Sequence, residues 1–410
     1  MLALGSGGGE KYKIMKIAII NNIYPPEQRG GAEVVVKGIV DMLSDAGHSV
    51  VVIAGTSGEE RIQDEGRVRI YRLRPRNIYF YTDAKNHNAL VRLVWNFYGM
   101  FNYPLARRVR RILEKEKPDV VHTHNLIGLS FLIPAQIRAL GLAHVHTVHD
   151  VQLVEPSAII IKSFENTWRY RGLPTRIYSA ILRYLMGSPN VVISPSKFLR
   201  SFYSARGFFR KSQFEMLRNP ITLKAMWRGR KPDTNVFRFL YLGQVEEHKG
   251  IMTLIEAFRI LSGEVSSGVE LIVVGAGSLE ERARQMANSL NIKFLGYKKR
   301  DELADIFSTV DVTVVPSLCY ENSPTVIFES RLSGVPIIAS DIEGVAELIE
   351  NDDSGWLFKA GDAVDLAVKM RTVFSLRETL HRKRIVPPAP SSNNDFHINL
   401  LSFYRSAGNK

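Results

Sequence analysis

Two glutamates, Glu321 and Glu329, stand eight positions apart on either side of a Ser-Pro-Thr-Val segment. Apolar runs at 310–316 and 335–339 enclose this stretch, and both are short enough to be buried parallel strands. The pattern predicts a strand, a loop and a helix, with Glu321 in the loop and Glu329 about one and a half turns inside the helix. Carboxylates so placed would not form a side-by-side acid–base pair. They would contact separate parts of one extended ligand.

The predicted start of that helix offers a place for an anion. Ser323 is expected to be the N-cap and Pro324 the first helical residue. The N–H groups of Thr325 and Val326 would then lack a carbonyl partner within the helix and would face a negatively charged group. A sugar nucleotide, with a negative middle and two polar ends, has the required shape. By spacing alone, a buried helix with one exposed glutamate remains the plainer interpretation.

Glycines follow several other predicted strands. Gly30 and Gly31 lie between a predicted strand and a predicted helix at 32–45, and Gly243 and Gly275 each follow a predicted strand. Strand–glycine loop–helix units are typical of mononucleotide-binding folds, and glycine lets a bound group approach the backbone closely. A tight turn is an equally good local interpretation of these glycines.

Four histidines, His122, His124, His146 and His149, lie near the ends of two further predicted strands, and Asp150 follows the last. The carboxyl ends of parallel strands face the ligand crevice in such folds. No metal site is expected here, because neither cysteine nor a dense acidic cluster accompanies the histidines and strand alternation would send some into the core.

The length of the chain indicates that the strands and helices that position these residues form more than one hydrophobic core. A chain of 410 residues predicts two domains. Its single cysteine, Cys319, excludes internal disulfides and a Cys-based zinc site and favours a reducing cytoplasm. No apolar run approaches the length of about 18 residues that a transmembrane helix needs, and the glycine-rich start lacks the apolar core of a signal peptide.

The net charge of +13 is unevenly distributed, since residues 1–218 hold 31 Lys and Arg against 17 Asp and Glu, while residues 219–410 hold 23 against 24. A basic first half would suit anionic lipid, a phosphorylated acceptor or nucleic acid. Nucleic acid ranks last, because no nucleic-acid-binding motif is present. Residues 67–117 carry much of the excess among aromatic residues, and a second such run is 197–211. Both runs have two interpretations. They are either solvated helix faces, or a surface that faces the acceptor or the membrane.

The stretch from Glu321 to Glu329 resembles the E-x7-E motif of retaining glycosyltransferases with the GT-B fold, most closely family 4 (glycosyl transferases group 1). The resemblance runs from about Met15 to Arg405, with Gly30-Gly31, His149 and Lys249 in the expected order. It implies an α/β fold of two Rossmann-like, doubly wound domains that face each other across a cleft. The implied division is 1–14 as a flexible extension, 15–218 as the basic acceptor-side domain, 219–232 as a linker, 233–385 as the nucleotide-sugar-binding domain, and 386–410 as a segment that packs back toward the first domain.

The resemblance also implies roles for individual positions. His149, Glu321 and Lys249 are the implied catalytic residues, and Gln244 stands where the family usually has an arginine that holds the donor diphosphate. Asp150, His124 and Glu33 are assigned to the acceptor side. The implied donor-binding residues are Gly30, Gly31, Gly243, Gln244, Lys249, Gly275, Tyr297, Glu321, Ser323, Pro324, Thr325, Val326 and Glu329.

The function implied is a retaining, metal-independent hexosyltransferase. It would need no cofactor and would move a sugar from a nucleotide sugar, such as a UDP- or GDP-sugar, to a glycan or lipid-linked acceptor in cell-surface polysaccharide or glycoconjugate synthesis. Its expected location is the cytoplasm, including the inner face of the membrane, where it would contact anionic lipid. Two alternatives stay open: a sugar-nucleotide 2-epimerase of the same fold, for which no acid–base pair is assigned, and a catalytically impaired glycan- or membrane-binding homologue, for which Gln244 is the main support.

Overall fold

The computed structural model describes residues 13–27, 30–220, 236–265, 268–349, 355–382 and 393–408. Strands and helices alternate through most of them, as the sequence predicts. The strands are β1 Lys16–Ile23, β2 Ser49–Gly55, β3 Arg61–Glu65, β4 Val68–Leu73, β5 Val120–Thr123, β6 Ala143–Thr147, β7 Val191–Ser194, β8 Gln213–Met216, β9 Phe237–Leu242, β10 Val269–Val274, β11 Ile292–Gly296, β12 Val312–Val315, β13 Ile337–Asp341 and β14 Gly355–Lys359. The helices are α1 Gly31–Asp45, α2 Ala89–Met100, α3 Tyr103–Glu116, α4 Ile133–Ala139, α5 Trp168–Arg171, α6 Leu173–Met186, α7 Lys197–Ala205, α8 Ile251–Glu264, α9 Glu280–Met286, α10 Leu303–Thr309, α11 Thr325–Leu332, α12 Ala363–Ser375, α13 Arg377–Arg382 and α14 Asn393–Gly408.

The first sheet has eight strands in the order β3-β4-β2-β1-β5-β6-β7-β8. All neighbours pair in parallel except β3 and β4 at one edge, which pair antiparallel. The chain leaves β1 toward β2 and later returns on the other side through β5. This reversal of strand order creates a crevice between the carboxyl ends of β1 and β5, where α/β sheets bind their ligands.

The second sheet repeats this arrangement with six parallel strands in the order β11-β10-β9-β12-β13-β14. Its strand order reverses between β9 and β12. The loops after these two strands therefore border the second crevice, and they carry Gln244 and Glu321 respectively.

Helices cover both faces of the first sheet, so its central strands are buried along nearly their whole length, including the histidines and threonines of β5 and β6. One face packs against α2, α3, α4 and α6, and the other against α1 and the final helix α14. The α14 side chains Leu400, Leu401 and Tyr404 are buried beneath β5, β6 and β7. The last described helix thus completes the core of the first sheet rather than that of the second.

Most predicted elements are confirmed, with small shifts at their ends. The helix predicted at 32–45 is α1 Gly31–Asp45, and the apolar runs at 310–316 and 335–339 correspond to β12 and β13. Helices α2 and α3 are separate because Asn102 caps α3 by accepting a hydrogen bond from the Leu105 N–H at 3.2 Å. Residues 1–12 of the predicted extension, most of the predicted linker at 219–232, and residues 386–392 of the last predicted segment lie outside the described residues.

Candidate active site

Helix α11, which follows Glu321, begins at Thr325, and the prediction that Ser323 caps it is wrong. Pro324 occupies the N-cap position with φ −60° and ψ 120°. Proline also disfavours helical backbone for the residue before it, so Ser323 lies outside the first turn. Its hydroxyl is buried and has no hydrogen-bond partner among the described residues.

The N-terminus of α11 nevertheless presents unpaired donors. The Ile327 N–H bonds to the Pro324 carbonyl at 3.1 Å, whereas the N–H groups of Thr325 and Val326 have no acceptor in the described part of the chain. Free N–H groups and the positive end of the helix dipole together favour an anion at this point.

Lys249 and Glu321 form an ion pair at the base of this helix. The Lys249 Nζ lies 2.5 Å from Glu321 Oε1, and the Ser317 hydroxyl donates to the same oxygen at 2.9 Å. Burial opposes the charge on Lys249, but the Glu321 carboxylate outweighs it and raises the lysine pKa. Lys249 is therefore a fixed cation beside Glu321, which lies in the loop that leads into α11.

The Glu321 loop depends on Gly344. This glycine has φ +82°, and a Cβ added to it would lie 1.7 Å from the Glu321 carbonyl oxygen. Any other residue would be strained and would push the Glu321 backbone away. The short loop after β13 thus sets the position of the first glutamate.

The loops after β9 and β10 meet at Gly243 and Gly275. Gly275 has φ +135°, and a Cβ on it would lie 1.8 Å from the Gly243 carbonyl oxygen. Gln244 comes next and is exposed, and its carbonyl accepts a 2.6 Å hydrogen bond from the Tyr241 hydroxyl. The backbones at the ends of β9 and β10 are therefore in close contact, which requires glycine at position 275.

Glu329 is held by a cation that the sequence analysis did not identify. Its carboxylate is buried and accepts a hydrogen bond from Arg300 Nη2 at 3.0 Å. Burial raises the pKa of Glu329, while Arg300 acts in the opposite direction. Tyr297, with 72% of its surface exposed, stands just beyond the end of β11 on the same loop as Arg300. The only sequence signal for Arg300 was the basic run that follows Tyr297.

The first sheet contributes a glycine loop that reaches α11. A Cβ added to Gly31 would lie 3.7 Å from Thr325 Cγ2, so the glycine loop lies close to the α11 N-terminus. Glu33 is buried in the first turn of α1 and accepts the Gly30 N–H at 2.9 Å. This bond engages one carboxylate oxygen, Oε2, and holds the glycine loop against the first turn of α1.

His149 and His124 lie together after β6 and β5. Nδ1 of His124 is 2.8 Å from Nε2 of His149, so one ring donates and the other accepts, and Nδ1 is the nitrogen of His149 left for a ligand. Burial lowers the pKa of His149 to about 4, so the ring is neutral at neutral pH. Burial raises the pKa of the adjacent Asp150 to about 6, with a smaller contribution from Glu33.

Asn322 joins the two halves of the site, and the sequence analysis missed it. Its side chain accepts a hydrogen bond from the Ser196 hydroxyl at 2.7 Å and donates one to the His149 carbonyl at 3.0 Å. Nearby, residues 318–320 pair with 160–162 through backbone bonds of 2.9 Å. The loop that carries Glu321 is therefore fastened to the first domain. These contacts span more than a hundred residues, so no local pattern signals them.

The predicted site residues lie in different surroundings. Lys249 and Glu321 are in direct contact, and Glu321 lies in the loop just before α11. Glu329 lies further along α11 and contacts Arg300. The side chains of Gln244 and Tyr297 are exposed. Among the described residues, no three His, Cys, Asp or Glu side chains gather as ligands for a metal ion. None of the described helices is both long and apolar enough to cross a membrane.

Comparison with protein families gives two consecutive matches. Residues 29–225 match the family described as Glycosyltransferase Family 4, and residues 227–386 match the family described as Glycosyl transferases group 1. The two matches meet between the two sheets and together span most of the chain.

Individual relatives have low sequence identity, and of three of them two match most of the chain and one matches about a third of it. The chain is 24% identical to a 42.6 kDa protein in the cps region of Klebsiella pneumoniae, over 82% of this chain and 87% of that protein. It is 24% identical to N-acetyl-alpha-D-glucosaminyl L-malate synthase of Bacillus anthracis, over 90% of each. It is 32% identical to the amylovoran biosynthesis glycosyltransferase AmsK of Erwinia amylovora, over 32% of this chain and 34% of AmsK.

Solved structures share the whole architecture. Sucrose-phosphate synthase from Thermosynechococcus elongatus superimposes with a TM-score of 0.69 at 17% identity, covering 95% of this chain and 98% of that one. Anabaena Alr3699/HepE, in a complex with UDP and glucose, gives 0.68 at 16% identity, covering 96% of this chain and 100% of that one. The fold is therefore GT-B, as predicted, and the chain belongs to the family 4, group 1 glycosyltransferases.

Proposed function

We propose that this glycosyltransferase takes its sugar from a nucleotide-sugar donor, such as a UDP- or GDP-sugar, and transfers it with retention of anomeric configuration. The observation that carries this proposal is the meeting of three anion-binding features in one cleft. These features are the free N–H groups at the start of α11, the Lys249 ammonium, and the Gly30-Gly31 loop opposite Thr325. A diphosphate is the ligand that such a set suits.

Charge on the leaving diphosphate is balanced by protein groups in this proposal. Lys249 and the amides of Thr325 and Val326 stabilise the negative charge that develops as the sugar–phosphate bond breaks. Gln244 adds a hydrogen-bonding amide but no charge. Because a cation and a helix end already face the diphosphate, the proposed reaction needs neither a metal ion nor a cofactor.

The remaining groups hold the two ends of the donor. Glu329 accepts hydrogen bonds from the ribose hydroxyls, and the backbone near Gly275 and Tyr297 borders the base. Glu321 positions the donor sugar and favours its cationic transition state, while Nδ1 of the neutral His149 contacts the sugar from the first domain. Asn322 links these two contacts, so closing the cleft would align both with the sugar.

Retention is proposed without a covalent intermediate. Glu321 is engaged by Lys249 and Ser317, which lowers its capacity to act as a nucleophile. The acceptor hydroxyl then attacks from the face that the diphosphate leaves, and the leaving phosphate oxygen takes the acceptor proton. This differs from retaining glycosidases, in which a second carboxylate attacks the sugar.

We assign the acceptor to glycans or lipid-linked glycans of surface polysaccharide synthesis, at the cytoplasmic side of the membrane. Support comes from relatives, since AmsK acts in amylovoran biosynthesis and another relative is encoded in a cps region. His124 and Asp150 lie on the side of the cleft where such an acceptor would enter.

The test is a thermal-shift and donor-hydrolysis screen with UDP-, GDP- and ADP-sugars in the presence of EDTA. We expect one donor to stabilise the protein and to be turned over, with both effects lost in Lys249→Ala and Glu329→Ala. The exposed Arg282→Ala, on α9, serves as the control and should behave as wild type. Stabilisation that requires a divalent cation, or no stabilisation by any donor, contradicts the proposal. The anomeric configuration of the first product, read by NMR, tests retention separately.

A further inference from the structure

The outer surface of α5 and α6 exposes large apolar side chains. Trp168 and Tyr184 have 74% and 83% of their surfaces exposed, and Leu173 and Ile177 have 67% and 50%. Leu173, Ile177 and Tyr184 recur at helical spacing along one face of α6, opposite the buried Leu182. A helix of a globular protein normally keeps polar residues on that outer face, so this apolar stripe requires an explanation.

The same surface is strongly basic. No Asp or Glu occurs between Glu165 and Glu215, whereas nine Lys and Arg do. Four of them, Arg169, Arg171, Arg176 and Arg183, lie in or beside the two helices and are exposed. Within the described residues, none of the four forms an ion pair with a carboxylate.

This location coincides only in part with the one that the sequence indicated, because α2 lies within 67–117 whereas α5 and α6 do not. The basic residues at 67–117 were interpreted either as solvated helix faces or as an acceptor or membrane-facing surface, and several of them are neutralised. Arg72 is buried and paired with Glu27, and Arg69, Arg108 and Arg110 each pair with nearby carboxylates. Other arginines of this region, such as Arg107 and Arg111, are exposed and form no ion pair within the described residues. On α5 and α6 the unpaired arginines have no acidic residue among them.

Helix α2 adds a second apolar stripe to the same layer. Leu90, Leu93, Phe97 and Phe101 recur at helical spacing and are exposed, and α2 contains no acidic residue. Its buried Trp95 belongs to the hydrophobic core that also contains residues of α5 and α6. Both stripes therefore lie on the helical layer that covers one face of the first sheet.

We propose that the α5–α6 face, extended by the α2 stripe, docks on the surface of a lipid bilayer that contains anionic lipid. Exposed Trp, Tyr, Leu and Ile beside arginine, without acidic residues, is the composition of an interfacial helix. A second copy of this chain fits the face less well, because an isologous contact would oppose arginine to arginine.

The proposed docking face adjoins the active-site cleft. Residues 160–162, which pair with the loop that carries Glu321, end six residues before α5 begins at Trp168. Docking would thus place the cleft near the bilayer surface, where a lipid-linked acceptor is available. Bilayer binding itself requires no donor, so its test is independent of the proposed function.

The experiment is co-sedimentation of the full chain with vesicles of phosphatidylcholine alone and of an equimolar phosphatidylcholine–phosphatidylglycerol mixture. We expect binding to the anionic vesicles that weakens with salt. Arg176→Gln should lower the partition coefficient about fivefold, and Trp168→Ser about tenfold. The controls are Arg282→Gln on α9 and Ile62→Ser on β3, which remove an exposed arginine and an exposed isoleucine elsewhere and should leave binding unchanged.

Several outcomes would overturn the proposal. They are no binding to the anionic vesicles, equal binding to both kinds of vesicle, or the same loss in the controls as in Trp168→Ser. Sedimentation-equilibrium ultracentrifugation without lipid tests the alternative occupant, and a dimer abolished by Trp168→Ser would assign the face to a second copy. Circular dichroism melts of all variants show whether each remains folded. Donor-induced stabilisation should persist in Trp168→Ser, which separates this proposal from the assignment of the donor site.

Discussion

Replacing Lys249 by methionine removes the cation from the α11 N-terminus while keeping the length of the side chain. The side chains of Lys249 and Glu321 are 27% and 13% exposed, so their ion pair is neither a surface pair nor fully buried. Breaking a surface pair costs up to about 1 kcal/mol, and stranding one partner of a buried pair costs about 3–5 kcal/mol. We expect the free energy of unfolding to fall by about 2 kcal/mol.

The effect on ligand binding is worked from the charge-assisted hydrogen bond to a phosphate oxygen. Such a bond is worth about 1.5–3 kcal/mol, or about 10- to 150-fold in affinity for a nucleoside diphosphate. The matching nucleoside has no phosphate and should bind the variant as it binds the wild type. Isothermal titration with both ligands measures the difference, using the base selected by the donor screen.

A double variant separates two roles of the lysine. In Lys249→Met the Glu321 carboxylate loses its partner and also repels the diphosphate, so Glu321→Gln in the same chain should restore stability and part of the affinity. A lysine that contacts phosphate directly leaves a residual loss of about tenfold in the double variant. Full recovery of diphosphate affinity would refute the reasoning, because Lys249 would then act only as the partner of Glu321. An equal loss of nucleoside affinity would refute it as well.

Four further predictions concern neighbouring positions. Gln244→Arg should strengthen nucleoside diphosphate binding about tenfold by adding a cation, and unchanged titration isotherms would contradict this. Gly344→Ala should lower the free energy of unfolding by more than about 2 kcal/mol in denaturant titrations. The control is Gly47→Ala, because Gly47 has φ +89° but nothing lies within 4 Å of the added Cβ. The control should lower the free energy of unfolding by about 1 kcal/mol. His124→Phe removes the nitrogen that orients the imidazole of His149, so kcat should fall about 10- to 100-fold while the affinity for the nucleoside diphosphate stays unchanged. A matching loss of diphosphate affinity would indicate a disrupted fold instead. Burial raises the pKa of Asp150 to about 6, so the folded protein retains a proton that the unfolded chain releases, and stability falls as the pH rises from about 4 to about 6. Asp150→Asn should abolish this fall and add up to about 3 kcal/mol to the free energy of unfolding at pH 7, measured by urea titration. An unchanged pH profile of stability would exclude Asp150 as the source of the fall.

Local sequence patterns predicted the elements that carry the site because their signals are contained in short segments. The helix predicted at 32–45 is α1, and the apolar runs at 310–316 and 335–339 correspond to β12 and β13. A serine just before a helix is a short pattern of the same kind, and the Ser196 hydroxyl accepts the Leu199 N–H at 3.1 Å at the start of α7. The prediction at Ser323 failed because two capping rules competed. A serine followed by proline fits an N-cap, but here the proline itself takes that position.

Partners that come from distant parts of the chain could not be predicted in this way. Arg300 reaches Glu329, and Asn322 reaches Ser196 and the carbonyl of His149, only after two separate sheets have formed and met. The pKa values of His149 and Asp150 likewise depend on burial by several elements, which no spacing in the sequence encodes.

The sequence by itself determined the alternation of strands and helices, the glycines at the strand ends, and the order of motifs that identifies the family, because each is set by residues close together or by their order along the chain. The tertiary structure alone decided which charges are neutralised and which remain free. It paired Lys249 with Glu321, neutralised basic residues such as Arg72 and Arg108 between 67 and 117, and left the arginines of α5 and α6 unpaired among the described residues. The physical reason is that net charge is a property of composition, whereas ion pairing and burial depend on distances that exist only in the folded chain.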